Sequence, residues 1–245
     1  MVASDVNISK DSYNLISDKH PLWLSALLHL FPGLLGLMTY IFIGIPIAQR
    51  FSFNPDLSGI LFVVPLELGL LLYLSHKRNN DYSLNGIVLY RDRIPRIQIA
   101  VFTIVLFLWM LLVAVLFQPV DRYIFDAFFS WMPDWFIQAW SGSYPIGIQL
   151  LNLAIMGVMI PVIEELYFRG YLLPRLSYLG NWAPLINTVL FAAHHFWSPW
   201  LFLNRVLLGL PAAYIVQKKK NILIAMLLHV IGNSLGIIIA IISNT

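Results

Sequence analysis

Residues 146–173 read IGIQLLNLAIMGVMIPVIEELYFRGYLL, with Glu164, Glu165 and Arg169 as the only charged side chains. About 20 mostly apolar residues suffice to cross the hydrocarbon of a bilayer as a helix, and this run exceeds that. Working outward, comparable runs fall at residues 22–48, 58–74, 99–117, 183–197, 201–216 and 222–242. The fifth and sixth in chain order are short, and only the corner Ser198-Pro199-Trp200 divides them. The pattern predicts an all-α protein, a polytopic transmembrane bundle of about seven to eight helices. Composition agrees, with 59% hydrophobic and 11% charged residues in 245, whereas soluble chains carry about 25% charged residues. Disorder, whose signature is low hydrophobicity, is excluded. The absence of cysteine excludes a disulfide scaffold, a thiolate metal site and a cysteine nucleophile. The economical division is a polar N-terminal segment, 1–20, and a single bundle, 21–245. That first segment has mixed charge and no small-residue cleavage site after an apolar core, so no cleavable signal peptide is expected.

The net charge of +3 could suggest a nucleic-acid partner, but the positions of the charges argue for topology instead. Lys77, Arg78, Arg91, Arg93 and Arg96 lie between the second and third runs, and Lys218, Lys219 and Lys220 between the sixth and seventh. Arg169 and Arg175 end the fourth on the same side by alternation. The third run is followed instead by Asp121, Asp126 and Asp134 against a single Arg122. Basic loops remain cytoplasmic, which predicts a cytoplasmic N-terminus and a C-terminus on the opposite side. The lipid bilayer is then the surrounding partner, and a short loop such as 218–220 is a poor reader of nucleic acid. Residues 123–140, rich in Phe and Trp with a few Asp, fit an interfacial helix at headgroup level or an aromatic belt.

All three glutamates of the chain, Glu67, Glu164 and Glu165, fall inside apolar runs. Ionisable groups are expensive there and mark function, although a lone Glu67 can be a packed, protonated carboxyl. On a helix, Glu165 and Arg169 are four apart and share a face, while Glu164 points about 100° away. Glu164 is thereby left without that partner. A carboxylate in an apolar site beside another carboxylate is tuned toward general-base work near neutral pH. Pro161, three residues earlier, removes a helix hydrogen bond and leaves room for water. Phe191 and His195 are four apart on one later run, and His229 and Asn233 on another. At about 1.5 Å per residue, measured from turns near Leu179 and Asn221, Glu164, His195, His229 and Asn233 can meet in one layer. His29 and His194 read instead as hydrogen-bonded packing residues.

Three patterns recur in this order: Glu164-Glu165-Leu-Tyr-Phe-Arg169, Phe191-Ala-Ala-His-His195 and His229-Val-Ile-Gly-Asn233. They resemble the E-E-x-x-x-R, F-x-x-x-H and H-x-x-x-N motifs of the CPBP family of intramembrane proteases, which comprises the type II CAAX prenyl endopeptidases and the bacterial Abi proteins. The likeness covers about residues 147–242 as a catalytic core; the first three runs carry none of these motifs. It implies an intramembrane endopeptidase acting on a membrane-associated, CAAX-type or other, peptide or protein substrate. By the same resemblance Glu164 activates the water, His195 shares it, Glu165 and Arg169 hold the site, and His229 with Asn233 stabilises the oxyanion. Family members have been described both as metalloproteases and as metal-free glutamate proteases. Two histidines and a carboxylate could hold zinc with an open position, the set being Glu164, His195 and His229, but no H-E-x-x-H helix is present. Asn233 suits an oxyanion donor better than a zinc ligand, which favours chemistry without a cofactor.

Two other function classes compete. Intramembrane Glu and His also build the relays of proton- or ion-coupled transporters, but no internal repeat of the transporter kind is visible. The other is a non-catalytic immunity or scaffold protein on the same fold, which a full set of motif residues argues against.

Overall fold

The computed structural model describes residues 15–51, 54–133, 136 and 144–243. Most of the polar N-terminal segment, Asp134, Trp140 and Thr245 lie outside the described residues. Six helices are long and apolar enough to span a membrane: α1 (Leu22–Phe51), α2 (Pro55–Asn79), α3 (Arg96–Phe129), α4 (Ile146–Arg175), α6 (Pro199–Lys219) and α7 (Leu223–Ser243). Between α4 and α6 stands a shorter helix, α5 (Trp182–His194). Its 13 residues span only about 20 Å at 1.5 Å per residue. It packs along α6 as one arm of a hairpin. The helix ends where it does because His195 leaves helical geometry (φ −80°, ψ 59°) ahead of the Ser198-Pro199 turn.

Several spans widen locally into π-helix, and proline explains the positions of four of the five such segments among the described residues, Phe125–Phe129 being the exception. The π segments Tyr40–Gly44, Leu153–Met159 and Glu165–Leu172 each close two residues before a proline, namely Pro46, Pro161 and Pro174. A fourth, Val63–Leu68, contains Pro65. A proline has no N–H to donate and its ring crowds the carbonyl four residues earlier, so the preceding turn opens. Pro161 therefore does more than kink α4: the helix is wide on either side of a short α-helical piece, Ile160–Glu164, that carries the first of the two glutamates.

One pole of the bundle gathers the basic connections. The backbone N–H of Leu89 donates to Gly170 O (2.7 Å), that of Asp92 to Lys220 O (2.8 Å) and that of Ile222 to Tyr90 O (2.9 Å). Arg175, fully buried, donates to Tyr171 O and Ile87 O and lies 4.1 Å over the Tyr171 ring. The entry to α1 joins the same pole, because His20 N donates to Arg175 O and Tyr178 donates its hydroxyl to His20 O. Beneath this pole sits the main core, centred on Tyr167, Phe168, Tyr171 and Leu172 of α4 with Ile224 and Leu228 of α7. At the other end, the aromatic stretch expected to lie flat at the interface begins as more helix. Residues 123–129 continue α3, and Phe125 packs edge-on against Trp200 at the tip of the α5–α6 hairpin.

Candidate active site

The two adjacent glutamates of α4 are both buried, and they face different partners. Glu165 Oε1 lies 3.1 Å from Arg169 Nη1, one turn on, and 2.9 Å from His229 Nδ1 on α7. Glu164 Oε2 lies 3.6 Å from His229 Nε2. The imidazole of His229 thus stands between the two carboxylates, one ring nitrogen toward each. At 2.9 Å the contact to Glu165 is a full hydrogen bond, whereas 3.6 Å exceeds hydrogen-bond range. Glu164 keeps an unengaged oxygen within about one water of a histidine, while Glu165 is committed to structure. The sequence places His229 in one layer with Glu164, His195 and Asn233; the structure sets it near Glu164 and adds the bond to Glu165.

Phe191, the first residue of the second pattern, carries the cluster on its ring. The Arg169 guanidinium sits 3.9 Å over one face, a cation–π contact that counts most where water is excluded. The rings of His195 and His229 meet Phe191 edge-on, at 4.9 and 6.1 Å between centroids. His195 Nδ1 donates to the Phe191 carbonyl at 2.9 Å, which fixes the ring and leaves Nε2 free to work. His195 also abuts Trp197, 5.1 Å away. Among the described residues no direct bond joins His195 to Glu164. Asn233 stands one turn beyond His229, exposed, with its amide donated to Met156 O at 3.2 Å.

His29 and His194 behave as packing residues. His29 Nδ1 donates to Ser25 O and its Nε2 accepts from Asn187, while His194 Nδ1 donates to His29 O. Together they lock α1 to α5. Glu67, on α2, is completely buried within electrostatic reach of Glu164, and no hydrogen-bond partner meets its carboxyl among the described residues.

Sequence reasoning passed over Arg205. It lies in α6, donates to Ser198 O (2.8 Å) and Ser198 Oγ (2.6 Å), and closes the hairpin tip. Its charge reaches both Glu164 and His195. An arginine inside the run 201–216 was as readable a signal as the glutamates. As for zinc, Glu164 and His229 are near enough to share an ion, yet no group of three His, Cys, Asp or Glu side chains able to hold one assembles among the described residues. The set Glu164, His195 and His229 is not brought together as ligands.

Residues 146–235 match the family described as type II CAAX prenyl endopeptidase Rce1-like. UPF0177 protein YxdF of Lactococcus lactis subsp. lactis (strain IL1403) is 30% identical over 95 residues, 39% of this chain and 51% of the relative, so the chain spans about half the length of the curated relative it matches. No solved structure matches. With six spanning helices, the protein is a multi-pass integral membrane protein.

Proposed function

Because residues 146–235 belong to the type II CAAX prenyl endopeptidase Rce1-like family, we propose that the chain is an intramembrane endopeptidase that hydrolyses a peptide bond of a membrane-associated peptide or protein. The observation that carries this proposal is His229 between Glu164 and Glu165, at 3.6 and 2.9 Å. Such an arrangement is what a water-activating site needs: one carboxylate free to take a proton and one spent on orientation.

Water held between Glu164 and His195 loses a proton to Glu164 as its oxygen attacks the scissile carbonyl. Glu164 then returns the proton to the leaving amine. Charge on the carbonyl oxygen is met by the Asn233 amide and by His229 in its imidazolium form, since Nδ1–H is given to Glu165 and only a protonated Nε2 can donate. In a water-poor site such donors contribute about 3 kcal/mol each to the transition state. Glu165, held by Arg169, fixes the tautomer and orientation of His229. No step here is assigned to a metal. The basic pole faces the cytoplasm, and the end of α7 lies on the opposite side.

The test is hydrolysis itself. Protein reconstituted in liposomes is incubated with membrane peptides in ¹⁸O-enriched water, and the products are sequenced by mass spectrometry. Fragments whose new carboxyl terminus carries one solvent oxygen support the proposal. Absence of any cleavage, together with a proton or ion flux across the same liposomes, would replace it with transport.

A further inference from the structure

A cavity of about 530 Å³ opens beside the site, between α1, α2, α4 and α7. Its size falls within the range of ligand sites, about 300–1,000 Å³. Asn233 and Trp197 form the end nearest the catalytic layer, and Asp56 and Asn152 lie farther from it. The wall is largely apolar, and Gly236 keeps part of it open: a Cβ there would meet nothing within 4 Å. Two polar groups stand out. Asp56 is half-buried in this lining, and among the described residues no ion pair engages its carboxylate. Asn152 is 8% exposed, and its side-chain oxygen has no hydrogen-bond partner among the described residues. A carboxylate accepts only, and an amide oxygen accepts only. No Lys, Arg or His contributes to the lining. The buried Asn152 oxygen therefore lacks the donor that such a group requires, and the Asp56 carboxylate lacks a counter-charge among the described residues.

From this we infer that the cavity is the specificity pocket of the endopeptidase and receives a basic side chain of the substrate, its ammonium or guanidinium bonded by Asp56 and Asn152. The inference rests on the proteolytic function proposed above and adds the substrate's chemical class. Distances along α4 set the position of that side chain. Met156, to which Asn233 is bonded, and Asn152 are four residues apart, about 6 Å along a helix. A residue of an extended chain advances about 3.3 Å, and a lysine stem adds several more. The basic residue thus lies within about three residues of the scissile bond. An ammonium brings three donors and a guanidinium five, enough to satisfy both acceptors at once.

The experiment measures binding apart from cleavage. Glu164→Gln protein in phosphatidylcholine nanodiscs, whose headgroup has no N–H, is titrated with two fluorescein-labelled leucine-rich pentapeptides differing only in a central lysine or norleucine. The lysine peptide should bind about tenfold tighter. That preference should vanish in Asp56→Asn and shrink in Asn152→Leu, which keeps the volume without the acceptor. Gly236→Phe, filling open space, should weaken both peptides. Equal binding of the two peptides, or a preference retained in Asp56→Asn, overturns the inference, as does a lysine preference abolished merely by adding phosphatidylethanolamine, which would assign the acceptors to a lipid amine. Cleavage by the wild-type protein without lysine preference would sink this pocket and leave proteolysis standing. A lysine preference in a protein that cleaves nothing would do the reverse.

Discussion

Glu165→Gln should cost far more stability than Glu164→Gln, although the residues are neighbours. Glu165 and Arg169 side chains are 3% and 4% exposed and lie 3.1 Å apart. Removing one partner of a buried ion pair costs roughly 3–5 kcal/mol, because the other charge stays buried. The glutamine carbonyl still accepts from Arg169 or His229, which retains about 1 kcal/mol. The Arg169 contact with Phe191 is present in both proteins and does not enter the difference. A loss of about 3 kcal/mol follows. Among the described residues the Glu164 carboxylate makes no hydrogen bond and its closest charged approach is the 3.6 Å to His229, so Glu164→Gln should shift stability by under about 1 kcal/mol. Reversible unfolding in mixed micelles by titrated SDS, followed by tryptophan fluorescence, reads both. A double variant, Glu165→Gln with Arg169→Met, should regain part of the stability and little activity. Equal stabilities for the two single variants, or a Glu164→Gln protein that unfolds first, would refute the division of roles.

Gly33→Ala should cost about 3 kcal/mol or prevent folding, since the added Cβ would overlap the His194 carbonyl oxygen where α1 crosses the end of α5; the same unfolding assay reads it. His20, just outside α1, is lowered to about 4, first by burial and then by Arg175 nearby. Its folded value lies below the unfolded one, so the unfolded chain binds the extra proton and stability is lost as pH falls from about 6.5 toward 4. Melting at pH 7 and pH 4.5 should show a loss on the order of 2 kcal/mol that His20→Phe removes. In intact cells, a cysteine replacing Lys219 in the otherwise cysteine-free chain should resist a membrane-impermeant maleimide until the membrane is opened. Labelling from outside would overturn the orientation.

What was legible in the sequence follows from what a bilayer demands of a chain. Lipid requires long apolar runs, so every spanning helix was visible, and the cost of charge made Glu164, Glu165 and Arg169 conspicuous. The i, i+4 pairing of Glu165 with Arg169 needed only helical periodicity. Rotation and tilt are set by packing, and linear spacing carries neither. For that reason the bond from His229 to Glu165 could not be read, although a common layer for Glu164 and His229 could, nor could the nearness of Glu67 to Glu164. Proline was noticed at 161, but the widened turns ahead of Pro46, Pro161 and Pro174 come from the clash with the earlier carbonyl. The shortness of α5 was set by the turn at His195, where an apolar pattern continued past the helix end. Arg205 was legible and was overlooked.

Removing the Glu164 carboxylate without loss of fold isolates its role as the base. The measurement is kcat for cleavage of one peptide by wild-type and Glu164→Gln protein in the same nanodiscs, with unfolding midpoints beside it. General-base catalysis contributes about 10²–10⁴-fold, so kcat should fall by that factor while the midpoint stays within error of wild type. A Glu164→Gln protein that cleaves at the wild-type rate would contradict the account.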